Sequence, residues 1–263
     1  MSSVIYSSVI FICLGALLSP QSYAQETQLK ARAIAVAPYG IAESQADESL
    51  EYKGVYYDFL DLILQQLHVP YIQEVAPYAR ISKDLRSGKA DITIMYRYQH
   101  LADDVYFIQP LPSLTNVVIG DAGLSITHPN DLVNKKVAYL RGANFSNAID
   151  QDPRIEKYFT LDIAQAVALL SKGRVDAVIG PLSPILYAAD KLGIVDQLGK
   201  PFVVSERTPW LQISKKSPLA SRARELKSIT VTLLQEGWLT KFKQNYHSPK
   251  VKAWLKDSGI AHN

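Results

Sequence analysis

Apolar positions change period along this chain, and the changes mark out alternating strands and helices. Short apolar runs at 32–37 (RAIAVA), 90–95, 115–119, 136–140 and 175–179 read as buried strands. Phe59, Leu62, Ile63 and Leu67 recur at helical spacing and predict an amphipathic helix over 58–67, ended by Val69-Pro70. Pro77-Tyr78-Ala79 introduces a short helix over 80–87. Asp162 with Gln165 resembles a capping box and opens a helix that runs to Lys172. Further strands are expected at 202–204 and 210–214. Ser217 and Pro218 then supply an N-cap and a first helical position for a helix ending at Gly237. A last helix carries Trp238, Phe242 and Tyr246, while 41–53 and 96–113 read as irregular. This alternation predicts an α/β fold with open, mostly parallel sheets flanked by helices.

One pattern occurs twice. Residues 85–94 read LRSGKADITI and residues 170–179 read LSKGRVDAVI. Each copy describes a helix closed by a glycine (Gly88, Gly173), then a base near the helix's negative end, then an aspartate and a buried strand. Two copies suggest two similar lobes with a cleft between them. Helix–glycine–strand junctions also recur by chance in α/β proteins.

Composition narrows the setting. Residues 1–24 hold no Asp, Glu, Lys or Arg, and 4–18 are largely apolar. Ser22 and Ala24 form a small-residue cleavage site, so a signal peptide over 1–24 with cleavage after Ala24 is expected, and the protein is expected in the periplasm. The sole cysteine, Cys13, lies in that segment. The rest of the chain must then be held by its core rather than by disulfides. The net charge of +3 comes from bases interleaved with acids, which suggests no nucleic-acid partner.

Five segments, taken in order, resemble the family-3 type of periplasmic solute-binding protein, the amino-acid-type receptors of ABC importers. They are 54–60 (GVYYDFL), 77–94, 105–111 (VYFIQPL), 137–142 and 170–180. The resemblance implies a two-lobed type II periplasmic binding protein fold with two hinge strands and a ligand held between the lobes. It places lobe 1 at 25–113 and 206–263 and lobe 2 at 114–205. It implies a monomer that delivers a small solute to a membrane permease, with no cofactor. The chain departs from the family where the amino-acid clamp should be. Leu101 stands where the carboxylate-binding arginine is expected, and Pro181 where the ammonium-binding acid is expected.

Replacements should lie where strands end at the cleft. The candidates are Tyr39 after the first strand, Tyr78 and Arg80 at the second helix, Tyr96, Arg97 and Tyr98 after the 90–95 strand, and Arg141, Asn144 and Phe145 after the 136–140 strand. Arginine offers a planar fork for a carboxylate or phosphate. Tyrosine offers an apolar face with a hydroxyl. Arg97 and Arg141 are the expected anion holders. Arg80 is equally placed to pair with Asp84, Arg97 to form a surface ion pair, and Tyr39 and Tyr78 to pack within a lobe. Asp58, Asp91 and Asp176 read as structural.

Enzyme chemistry finds little footing. The five histidines are scattered, and no G-x-S-x-G, P-loop or G-x-G-x-x-G motif occurs. No catalytic residue or metal ligand is therefore expected. The reading is a solute-binding receptor for a small anionic or zwitterionic, amino-acid-like solute. A ligand sensor feeding a membrane signalling receptor, or a dehydratase-like periplasmic enzyme, is the alternative on the same fold.

Overall fold

The computed structural model describes residues 28–260, so the expected signal peptide and its cleavage site lie outside the described residues. The chain starts with β1 (Leu29–Ile34), β2 (Ile41–Ser44), β3 (Leu50–Lys53), α1 (Val55–Gln66), β4 (Tyr71–Ala76), α2 (Tyr78–Ser87), β5 (Ile92–Tyr96) and β6 (Val105–Pro110). It continues with β7 (Leu114–Gly120), β8 (Lys136–Leu140), α3 (Asn147–Asp150), β9 (Glu156–Thr160), α4 (Ile163–Ser171), β10 (Ala177–Pro181), α5 (Leu182–Lys191) and β11 (Phe202–Arg207). It closes with β12 (Pro209–Ser214), α6 (Ala223–Gln235), α7 (Trp238–Asn245) and α8 (Pro249–Ser258).

Two five-stranded sheets result, in the orders β4-β1-β5-β12-β6 and β11-β7-β10-β8-β9. In the first, only β12 runs against the others, because it is antiparallel to both of its neighbours. In the second, β7 plays that part. The reversed strand of each sheet directly follows a strand of the other, so the chain crosses between lobes at 111–113 and again at Thr208. The crossings touch: the Leu111 amide donates to the Pro209 carbonyl at 2.9 Å, and the Ser113 and Thr208 hydroxyls lie 2.7 Å apart.

Both sheets are buried on both faces, which explains their near-continuous apolar strands. Within β7, Val117 and Ile119 enter one core cluster while Val118 enters another. The duplicated motif is a structural repeat. Gly88 and Gly173 take positive φ after α2 and α4, where a left-handed residue closes a helix. The Asp91 carboxylate then accepts the Lys30 amide at 2.8 Å, and the Asp176 carboxylate accepts the Lys136 amide at 2.7 Å. Each aspartate thus pins the entry to its strand against the neighbouring parallel strand.

Several expectations need correction. Residues 41–53 form the β2–β3 hairpin rather than a loop; its exposed, alternating residues leave no buried run to read. The aromatic segment 96–113 contains β6, which pairs with β12. The grouping of 206–263 with lobe 1 does not hold for α8. Val251 and Leu255 are buried in the second lobe's core, and Trp254 packs against it. The Ser248 hydroxyl donates to Asp190 of α5 at 2.5 Å, and Lys250 pairs with Asp196 at 2.7 Å. The preceding α7 packs in the first lobe through Leu239 and Phe242. The chain therefore crosses between lobes a third time, near residues 246–248.

Candidate functional site

A cavity of about 620 Å³ opens between the two sheets, within the size range of small-molecule sites. Lobe 1 supplies the ends of β1 and β5 and the start of α1. Lobe 2 supplies the loop after β8 and the end of β10, and the crossing strands supply Asn116 and Arg207.

Tyr39 and Tyr56 form the floor, stacked at 4.5 Å between ring centroids and nearly inaccessible. Their placement depends on Gly54. The Val55 and Tyr56 amides open α1 and donate to the Pro38 and Tyr39 carbonyls, using helix N–H groups that have no partner within the helix. This contact brings the two backbones together. A Cβ on Gly54 would lie 2.5 Å from the Tyr39 oxygen, and its φ of 134° is one that L side chains rarely adopt.

Arg207, at the end of β11, lies over the Tyr96 ring at 4.3 Å and the Tyr98 ring at 5.7 Å. Such contacts orient a guanidinium over an aromatic face. Tyr78 tilts against Tyr98 at 4.6 Å, and its hydroxyl meets His100 Nε2 at 2.6 Å. Opposite, Arg141 sits on a loop pinned by Asp150. The Asp150 carboxylate accepts the Phe145 and Ser146 amides and the Tyr139 hydroxyl. Phe145 is buried edge-on to Tyr139, leaving Arg141 and Asn144 exposed at the cavity.

Three buried polar atoms on the cavity wall have no hydrogen-bond partner: the Tyr39 hydroxyl, the Tyr96 hydroxyl and Asn116 Oδ1. Ser183 is near enough to ease ionisation of Tyr39 slightly, without completing a hydrogen bond of standard geometry. Burial pushes Tyr96 up to about 12, opposed by the positive Arg207. Burial also raises Tyr39 and Tyr56, with other tyrosines adding to the effect. All three phenols are neutral at ordinary pH. No Asp or Glu is among the described residues lining the cavity; its charged lining groups are Arg141 and Arg207.

Of the candidates read from sequence, Tyr39, Tyr78, Tyr96, Tyr98, Arg141, Asn144 and Phe145 line this one cavity. Arg80 and Arg97 do not. Arg80 is exposed and pairs with Glu74 at 3.8 Å and Asp84 at 3.7 Å. Arg97 is exposed and stacks on Phe107 at 4.3 Å, so its charge is spent on another face of lobe 1. Leu101 is fully buried in a lobe 1 core cluster, where an arginine could not reach the cavity without disrupting the packing. Pro181 lines the cavity. Sequence reasoning missed Tyr56, Asn116 and Arg207. A base closing an apolar strand just before Thr208-Pro209 was the available signal for Arg207.

No protein-family model and no curated protein sequence matches the chain. Solved structures do. The GluR0 ligand-binding core in complex with L-glutamate is 18% identical, with a TM-score of 0.67 over 84% of this chain and 99% of that one. A histidine kinase sensor domain with similarity to periplasmic binding proteins is 14% identical, with a TM-score of 0.66 over 84% of this chain and 95% of that one. The ancestral amino acid-binding protein AncCDT-1, a precursor of cyclohexadienyl dehydratase, is 18% identical, with a TM-score of 0.65 over 83% of this chain and 94% of that one. The chain has the two-lobed periplasmic-binding-protein fold, the fold of the family-3 solute-binding proteins that its motifs resemble.

Proposed function

We propose that the protein is an extracytoplasmic receptor that captures a small anionic or amino-acid-like solute between its lobes and hands it to the permease of an ABC importer. The observation that carries this reading is the interlobe cavity, with guanidinium groups of Arg141 and Arg207, apolar and tyrosine walls, and three buried polar atoms with no partner in the protein. Buried polar groups are ordinarily satisfied, so a cluster facing one cavity supports a ligand that completes them. Contacts to both lobes form together only when the cleft closes, so a ligand of this kind favours the closed arrangement.

The similarity to a kinase sensor domain supports a second reading, in which the same capture informs a membrane signalling receptor. Both readings share the binding step. A thermal-shift screen of amino acids, carboxylic acids, phosphate esters, polyamines and sugars tests it. A solute at a hundredfold excess over its dissociation constant stabilises the fold by about 2.7 kcal/mol, a melting shift of several degrees. The hit is expected to be recovered unchanged. Consumption of the hit would make the protein an enzyme, and a screen without hits would remove the receptor reading.

A further inference from the structure

Resting on the receptor reading above, we infer that the captured solute is an acid that carries a neutral hydroxyl and no ammonium group: a hydroxy acid rather than an amino acid. The inference comes from what the cavity can neutralise. Its charged lining groups are both guanidinium ions, and no carboxylate is among its described lining residues. A carboxylate entering it meets Arg207 and Arg141 and forms charge-assisted hydrogen bonds. An ammonium entering with it meets two like charges and nothing of opposite sign, and burying an unpaired charge is costly.

The aromatic walls do not supply the missing counter-charge. Tyrosine faces can hold a cation, but the Tyr96 and Tyr98 faces already carry the Arg207 guanidinium. Nor are the phenols ionised. The influences on Tyr39, Tyr56 and Tyr96 are burial, neighbouring tyrosines, Arg207 and Ser183, with no carboxylate among them.

What the cavity offers besides positive charge is neutral hydrogen-bonding capacity. Asn116, on the crossing strand β7, is buried and donates its Nδ2 to the Ser205 hydroxyl at 3.1 Å. Its Oδ1 has no partner and requires a donor. The Tyr39 and Tyr96 hydroxyls can each donate and accept. A hydroxyl answers all three requirements without bringing charge.

Isothermal titration of the wild-type protein with matched triplets tests this. Each triplet shares one skeleton and differs only in bearing an amino group, a hydroxyl or hydrogen at C2. The probes are L-phenylalanine, L-3-phenyllactate and 3-phenylpropanoate; L-leucine, L-2-hydroxy-4-methylpentanoate and 4-methylpentanoate; and L-aspartate, L-malate and succinate. In a triplet that binds, the hydroxy member is expected to bind at least about tenfold more tightly than the amino member, with the hydrogen member between them. An amino member that equals or exceeds its hydroxy counterpart overturns the inference and leaves the receptor reading standing. No binding in any triplet also overturns it; the broader solute screen then decides the receptor reading separately. Asn116→Asp gives a second measurement. The Ser205 hydroxyl can donate to the new carboxylate, which supplies the missing negative charge, so the preference for the hydroxy member is expected to shrink or reverse. An unchanged preference in a folded Asn116→Asp protein would overturn the role given to the cavity's charge.

Discussion

Among single residues, Arg207 is the group on which the proposed ligand capture turns. It is partly buried, lies at a crossing strand, and is steered by two tyrosine faces. Arg207→Ala is expected to weaken binding of an anionic ligand at least about tenfold, or about 1.4 kcal/mol, by titration calorimetry. Arg97→Ala, which removes a base outside the cavity, is expected to leave affinity unchanged. The buried tyrosines give a separate prediction. The folded-state ionisation of Tyr96 is raised from 10.0 to about 12 by burial. Its stabilisation is complete below pH 10. Above that, the unfolded chain releases its proton first, so stability falls as pH rises toward 12. Urea midpoints measured from pH 9 to 11.5 should decline, and Tyr96→Phe should flatten part of the decline. A normal tyrosine titration followed in the ultraviolet would refute this. Tyr39, Tyr96 and Arg141 were legible in the sequence because each follows a predicted strand, and strand ends face the cleft in this architecture. Arg207 and Asn116 were not, because they reach the cavity only when β7 and β11 pair across a long stretch of chain.

At the level of elements, the helix–glycine–strand repeat was the most readable part of the fold. Its residues are local, and the same aspartate-to-amide bond recurs in both lobes. Edge strands were the least readable. In β4, every residue but Ala76 keeps some exposure, and in β9 Tyr158 and Phe159 face solvent, so neither has the apolar run of a central strand. The final helix escaped notice because its apolar face is narrow, with only Val251 and Leu255 buried. That face nevertheless fills part of the second core. Leu255→Ala should destabilise the protein by about 2–5 kcal/mol in urea denaturation, the range for truncating a buried leucine. A loss within experimental error would mean that α8 is not seated there in solution. The hairpin β2–β3 contributes little to either core and should tolerate Leu50→Ser, since Leu50 is 53% exposed.

Over the whole molecule, two lobes are linked by chain that crosses from each sheet to the other, and the cavity lies where those crossings meet. Such a geometry permits the lobes to rotate about the crossings without unpairing either sheet. Saturation with a bound solute should lower the radius of gyration measured by small-angle scattering, and Arg207→Ala should move the change to at least about tenfold higher solute concentration. The third crossing adds something the two sheet crossings do not. Leu29 opens the first lobe's sheet, whereas Ser258 closes a helix seated on the second lobe. The two extremities of the folded body therefore ride on opposite jaws. Under the proposed closure the molecule would work as a caliper, and a pair of fluorophores placed near residues 28 and 258 would report a shutting of the cleft as a change in energy transfer.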